Sequence, residues 1–143
     1  MKKVLVVGGA NGIGLSIATE FAKRDDVEIV HIVDKSIIAE RFYNSKFDCH
    51  QFEFNSVDYH LFNEFQDIDI LMITAGFGNL QLFKDADDDL IIKSFNVNTI
   101  SVLRIIKIFY NKIEAQSDFY CGVMVSIAGF MSSPFFSIFS ENS

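Results

Sequence analysis

The chain has one proline, two cysteines and no tryptophan among 143 residues, and its twelve basic residues are outnumbered by nineteen acidic ones. Half of the residues are hydrophobic and no low-complexity tract interrupts them, which excludes a disordered chain. Cys49 and Cys121 are too few and too far apart for a disulfide framework, and we expect both to be packed in the core. The net charge of −7, with scattered basic residues, argues against nucleic acid as a partner.

Long hydrophobic runs are also missing. No stretch approaches the roughly 18 apolar residues that a membrane-spanning helix needs. The start, Met1-Lys2-Lys3 followed by an apolar run, has the charge pattern of a signal peptide, but glycines end the run after four residues. We therefore interpret this run as a buried strand and expect a soluble, cytoplasmic protein with no membrane partner.

Metal-ligand patterns are absent from the sequence. His31, His50 and His60 are not spaced four residues apart as on a helix, and no carboxylate is arranged around them as in a metal motif. Four aspartates between residues 85 and 89 precede an apolar-striped segment, where carboxylates favour the start of a helix. We therefore expect no metal site.

Apolar runs typical of strands alternate with helical stripes along the chain. The order is strand 3–7, helix 13–23, strand 28–33, strand within 47–54, short helix 58–65, strand 68–74, long helical segment 88–113 and strand 120–127. Such alternation predicts a parallel sheet covered by helices. The fold class is therefore α/β, a Rossmann-type doubly wound sheet of about five strands in the order 3-2-1-4-5, in one domain over residues 1–143.

A glycine-rich loop lies between the first strand and the first helix. Gly8 allows a tight turn, Gly12 allows the backbone to approach a pyrophosphate, and Gly14 allows the helix to pack closely. The helix amino terminus then offers unpaired amides to the anion. The loop predicts a dinucleotide site that includes Gly8, Ala10, Asn11, Gly12, Ile13 and Gly14.

Asp34 follows the second strand, twenty residues after Gly14. A carboxylate there can accept hydrogen bonds from the ribose hydroxyls of adenosine and repels a 2′-phosphate, which favours NAD over NADP. Lys35 is the counter-evidence, since it could neutralise a phosphate. Asp34 could instead only cap the loop after the strand.

Further motifs resemble the short-chain dehydrogenase/reductase family. The spacing of Gly8, Gly12 and Gly14 is that family's Gly-x-x-x-Gly-x-Gly. Asn55-Ser56-Val57-Asp58 resembles the family's segment after the third strand, which implies that Asn55 lies against adenine and that Ser56 belongs to the cofactor site. Thr74-Ala75-Gly76 resembles the Asn-Ala-Gly after the fourth strand, with Thr in place of Asn. The resemblance also implies that Asn98, in Phe95-Asn96-Val97-Asn98, belongs to the catalytic proton relay.

The chain departs from this family near its carboxyl end. The family has a serine after the fifth strand and a Tyr-x-x-x-Lys pair, where tyrosine is the general acid/base, lysine grips the ribose and serine polarises the substrate. Here Gly129 aligns with the serine and Phe139 with the tyrosine, and no lysine follows before Ser143. We therefore expect a sheet incomplete at its carboxyl end and a catalytically impaired chain.

The resemblance implies an NAD(P)-dependent oxidoreductase that transfers hydride between nicotinamide and a carbonyl or alcohol carbon of an unknown small molecule. The alternative is a non-catalytic NAD-binding or regulatory domain. Recognition of a nucleotide sugar is disfavoured, because those relatives have Gly-x-x-Gly-x-x-Gly. We also expect a homo-oligomer that forms through the helical segment 88–113 or the Phe-rich end.

Overall fold

Five strands and three α-helices make up the part of the chain that a computed structural model describes, residues 1–74, 87–95 and 99–124. The strands are β1 (Lys2–Val7), β2 (Val27–Asp34), β3 (Phe47–Gln51), β4 (Ile70–Ile73) and β5 (Tyr120–Val123). The helices are α1 (Gly12–Ala22), α2 (Asp88–Phe95) and α3 (Ser101–Ala115). Two 3₁₀ helices, Glu40–Phe42 and His60–Phe65, lie in the connections.

The sheet has the order β3-β2-β1-β4-β5 with every neighbouring pair parallel. This confirms the predicted Rossmann-type topology. Val7, at the end of β1, pairs with Val33 on one side and with Ile73 on the other. Because the strand order reverses at β1, the segments that follow β1, β2 and β4 meet at one edge of the sheet.

Both faces of the central strand are covered, which explains its continuous apolar run. Leu5 faces a core that includes Phe62 of the second 3₁₀ helix and Ile105 of α3. Val4 faces a second core formed with α1, which contributes Ala18. The two layers fix the position of the loop between β1 and α1.

The connection between β2 and β3, residues 35–46, contains only the 3₁₀ helix Glu40–Phe42 and no α-helix. One face of the edge strand β3 is therefore less covered than the same face of the neighbouring strands. Cys49 lies on this strand and is exposed, so the expectation of a packed core thiol was wrong for this residue. Cys121, on β5, is partly buried, and neither cysteine forms a disulfide.

The described residues of the predicted long helical segment form α2 and α3. Asp87 precedes α2, and its Oδ1 accepts a hydrogen bond from the backbone N–H of Leu90 at 2.9 Å. This contact confirms that the aspartate run begins a helix. Among the described helices, none is long and apolar enough to cross a membrane.

Candidate nucleotide-binding site

The loop after β1 turns sharply into α1. Gly8 has a φ of 85° and its N–H donates to Val33 O at 2.7 Å, which ties the loop to the end of β2. Gly12, the first residue of α1, has a φ of 56°, a conformation that L side chains rarely adopt. Asn11 makes no side-chain capping hydrogen bond, so its side chain does not occupy the amides of the first helical turn.

Gly14 lies where α1 passes closest to the loop. A Cβ on Gly14 would be 2.0 Å from Gly8 O and 2.5 Å from Thr74 Oγ1. The Thr74 hydroxyl donates to Val7 O at 2.9 Å and lies 3.2 Å from Gly8 O. Thr74, which occupies the position of the family's asparagine, therefore joins the end of β4 to the turn after β1.

Asp34 is the last residue of β2 and is only 9% exposed. Its Oδ2 accepts the Ala10 N–H and its Oδ1 accepts the Ser36 N–H, each at 3.0 Å. These bonds show that Asp34 does cap the loop, and they also fix the carboxylate beside the glycine turn. A carboxylate has about four acceptor positions, so the two bonds leave room for ribose hydroxyls.

The segment after β3 is anchored by an arginine of α3. Arg104 donates from Nη1 to Ser56 O at 2.9 Å and from Nη2 to Val57 O at 2.6 Å. Its guanidinium carbon lies 3.8 Å from the centroid of the Tyr59 ring. Asn55, next to this anchor, is exposed. Sequence reasoning missed Arg104, which is one of several charged residues in an apolar-striped helix and has no motif around it.

Tyr59 is buried beneath the same segment. Its hydroxyl donates to Phe54 O at 2.6 Å and lies 2.7 Å from Ser101 Oγ on α3. Burial raises the pKa of Tyr59, although the Ser101 hydrogen bond and the Arg104 charge act in the opposite direction. The phenol therefore stays protonated near neutrality and serves to hold the segment in place.

The glycine turn, the acid at the end of β2 and the reversal of strand order together place the chain among known proteins. The family model of the short chain dehydrogenases matches residues 2–141. The chain belongs to this family.

Solved structures of the short-chain dehydrogenase fold are similar at low identity. An alcohol dehydrogenase from Comamonas testosteroni, specific for bulky-bulky ketones, has a TM-score of 0.73 and 19% identity over 90% of this chain and 56% of its own. A short chain dehydrogenase from Leptospira borgpetersenii with bound NAD⁺ has a TM-score of 0.71 and 18% identity over 99% and 61%. An alcohol dehydrogenase from Thermococcus sibiricus, complexed with 5-hydroxy-NADP, has a TM-score of 0.71 and 20% identity over 96% and 63%.

This short-chain dehydrogenase chain therefore spans less than two thirds of the length of those structures, with shares of 56%, 61% and 63%. At such identities the likeness shows the fold alone. A comparison with curated protein sequences finds no match.

The structure brings together most of the predicted site residues of this chain. The residues at the carboxyl edge of β1, β2 and β4 are Gly8, Ala10, Asn11, Gly12, Ile13, Gly14, Asp34 and Thr74. Asn55 and Ser56 follow β3, whose end is joined to β2 by the Phe52 N–H bond to Asp34 O at 2.8 Å. Ala75, Gly76, Asn98, Gly129 and Phe139 lie outside the described residues.

A second polar group, the His-Asp-His cluster of His31, Asp48 and His50, lies on β2 and β3. Asp48 Oδ2 is 2.7 Å from Nδ1 of His31 and 2.8 Å from Nε2 of His50. Burial acts to raise the pKa of Asp48, but the hydrogen bonds to His50 and His31 outweigh it and lower that pKa. Sequence motifs did not predict this carboxylate between two histidines.

Proposed function

We propose that the chain forms the nicotinamide-dinucleotide-binding domain of an oxidoreductase of the short-chain dehydrogenase type. The observation that carries the proposal is the turn in which Gly8 and Gly12 have positive φ and Gly14 touches the loop backbone. This turn lies where the strand order reverses, which is where open α/β sheets bind ligands. The reaction of such an enzyme is hydride transfer between nicotinamide and a carbonyl or alcohol carbon.

The residues of the turn fit a pyrophosphate. A Cβ built on Gly12 meets no atom within 4 Å, so the space above this residue is open to a ligand. The amides of the first turn of α1 and the helix dipole favour an anion in that space. The Asp34 carboxylate accepts the ribose hydroxyls of the adenosine half, and Asn55 and Ser56 border the adenine. A bound nicotinamide supplies the hydride acceptor or donor.

The charge of Asp34 leads to a prediction about cofactor choice. We expect the chain to bind NAD(H) more tightly than NADP(H), because a carboxylate fixed by Ala10 and Ser36 repels a 2′-phosphate. The change Asp34→Asn removes this charge and keeps one acceptor oxygen, so it narrows the difference between the two affinities. The change Asp34→Ala narrows it too, with an added loss of loop hydrogen bonds. Calorimetric titration with both cofactors measures the difference.

The matched control is Asp26→Asn, which removes the same charge from an exposed carboxylate paired with Arg24. This variant should keep the preference of the original chain. Equal affinities of the original chain for the two cofactors, or tighter binding of NADP(H), would contradict the role of Asp34. Failure to bind either cofactor would overturn the proposed function itself.

A second candidate function is a domain that binds NAD without performing chemistry. One observation favours it. None of the four tyrosines, Tyr43, Tyr59, Tyr110 and Tyr120, is followed four positions later by lysine, so the sequence has no Tyr-x-x-x-Lys pair. Tyr59 offers no substitute for the missing tyrosine, because it is held in the core. Activity assays separate the two candidates.

The expected self-association can be tested on α3. Leu103 and Tyr110 lie two helical turns apart and are 61% and 54% exposed, opposite the face that buries Ile105 and Phe109. We expect the change Leu103→Asp to weaken a homo-oligomer formed by this face, because it places charge in an apolar contact. Sedimentation at micromolar concentration measures the association. The control Ile37→Asp changes an equally apolar side chain that is 76% exposed elsewhere, and a monomeric original chain would refute the prediction.

A further inference from the structure

The register of the sheet brings the three members of the His-Asp-His cluster together. His31 of β2 pairs with Asp48 of β3, and His50 follows Asp48 by two residues on the same strand. Side chains at such positions point to the same face of a sheet. The Phe65 ring packs against both imidazoles, with centroid distances of 4.8 Å to His31 and 5.3 Å to His50. Two strands and one aromatic ring therefore bring the cluster's side chains together on one face of the sheet.

We infer that the His-Asp-His cluster is a binding site for a divalent ion of the zinc type, separate from the glycine turn. One atom from each residue, two imidazole nitrogens and one carboxylate oxygen, lies within 4.8 Å of the others. Two imidazoles with one carboxylate suit zinc and its neighbours, whereas magnesium and calcium prefer oxygen ligands throughout. Three protein ligands leave further coordination positions for water.

The side chains must rotate to hold an ion. Zinc binds nitrogen and oxygen at about 2.0 to 2.2 Å in tetrahedral sites, so two ligands of one ion lie roughly 3.4 Å apart. The widest separation in the cluster, 4.8 Å, must contract by about 1.4 Å, and the separations of 2.7 and 2.8 Å from Asp48 Oδ2 must open by about 0.6 Å. The side chains of His50 and Asp48 are 28% and 41% exposed, which leaves them free to move and open to an ion from solvent.

Metal binding exchanges bonds at the two rings. Without metal, Nδ1 of His31 and Nε2 of His50 donate hydrogen bonds to the same oxygen of Asp48. The ion takes the place of the proton on each of these two nitrogens. By exchange with solvent, each neutral imidazole then carries its single proton on the opposite ring nitrogen. The metal then links β2 to β3 at the edge of the sheet, which stabilises the folded chain by mass action.

The test is titration of the metal-free 143-residue chain with zinc chloride, followed by calorimetry and by melting temperature. We expect binding of one ion per chain and a rise of several degrees in Tm. Removing a ligand by His31→Gln or His50→Gln should weaken binding by at least tenfold, since loss of even an outer partner of a ligand costs about 10- to 100-fold. The control His60→Gln removes the remaining histidine, which is exposed and outside the cluster, and should leave the affinity unchanged.

Nitrogen NMR of the imidazoles provides a measurement that does not depend on the variants folding. Zinc should move the ring signals of His31 and His50 and exchange their tautomers, while the signals of His60 stay in place. Absence of binding at millimolar zinc, or unchanged tautomers of His31 and His50 in the original chain, would show that the cluster is only a hydrogen-bonded pair of histidines. Equal losses of affinity in His60→Gln and His50→Gln would overturn the assignment as well. None of these readouts involves a nicotinamide cofactor, so the result stands apart from the proposed function.

Discussion

The change Gly14→Ala is expected to destabilise the folded chain by about 3 kcal/mol or more, at or above the upper end of the usual cost of overpacking. The added Cβ would stand 2.0 Å from Gly8 O, a backbone atom that cannot rotate away. The same Cβ would also stand 2.5 Å from Thr74 Oγ1, so relief requires α1 to move off the loop. Because α1 covers one whole core, the cost extends to the packing of Ala18 against the sheet.

Denaturant unfolding measures this loss, and Gly12→Ala is the matched control. A Cβ on Gly12 meets no atom within 4 Å, so the only penalty of that change is the φ of 56°. A left-handed conformation costs a residue with a Cβ roughly 1 to 2 kcal/mol. We expect Gly12→Ala to fold and Gly12→Val to fold less well, both with impaired binding of NAD(H). Equal stability losses in Gly14→Ala and Gly12→Ala would contradict the close approach of α1 to the loop.

The fold and the glycine turn could be predicted because their signals are local. Each strand is a short apolar run, and each sits within a few residues of its predicted bounds, as with β1 at Lys2–Val7. The turn from strand to helix needs glycines at fixed offsets, so the spacing of the glycines predicts the conformation of the turn. Asp34 could be placed at the end of β2 by counting along the same unit, and it is the last residue of that strand.

Features that depend on the register between strands could not be predicted. His31 and His50 are separated by nineteen positions, and only the pairing of β2 with β3 brings Asp48 between them. The exposure of Cys49 depends on the connection between these strands, which has a 3₁₀ helix in place of a covering α-helix. A periodic pattern within one strand predicts neither the register between strands nor the element that packs over the strand, because both are set by residues far along the chain.

The Arg104 anchor shows the same limit for the site. The resemblance implied that Asn55 lies against adenine, with Ser56 in the cofactor site, and it gave no reason why that segment should keep its shape. The reason lies on α3, where Arg104 binds Ser56 O and Val57 O and Ser101 meets the Tyr59 hydroxyl. These contacts join residues more than forty positions apart. The segment after β3 is therefore held in place by α3.

The last prediction concerns catalysis by this 143-residue chain. We expect no more than traces of NAD-linked carbonyl reduction across a panel of ketones, aldehydes and alcohols. General acid/base catalysis contributes about 10² to 10⁴ in rate, and the Tyr-x-x-x-Lys pair that provides it in the family is missing from the sequence. A lysine that positions the nicotinamide ribose is missing with it, so the loss includes orientation as well as proton transfer.

The assay should be run on protein whose binding of NAD(H) has been measured by calorimetry in the same preparation, so that an inactive chain is distinguished from an unfolded one. Asn98 could still hold a water molecule of a proton relay, but an amide has no proton to give near neutrality. The change Asn98→Ala should therefore leave the trace activity within the error of the assay. Turnover of the order of one per second in the original chain, persisting in Asn98→Ala, would require an acid that the family resemblance does not supply, and Tyr43, Tyr110 and Tyr120 would be the first side chains to replace by phenylalanine.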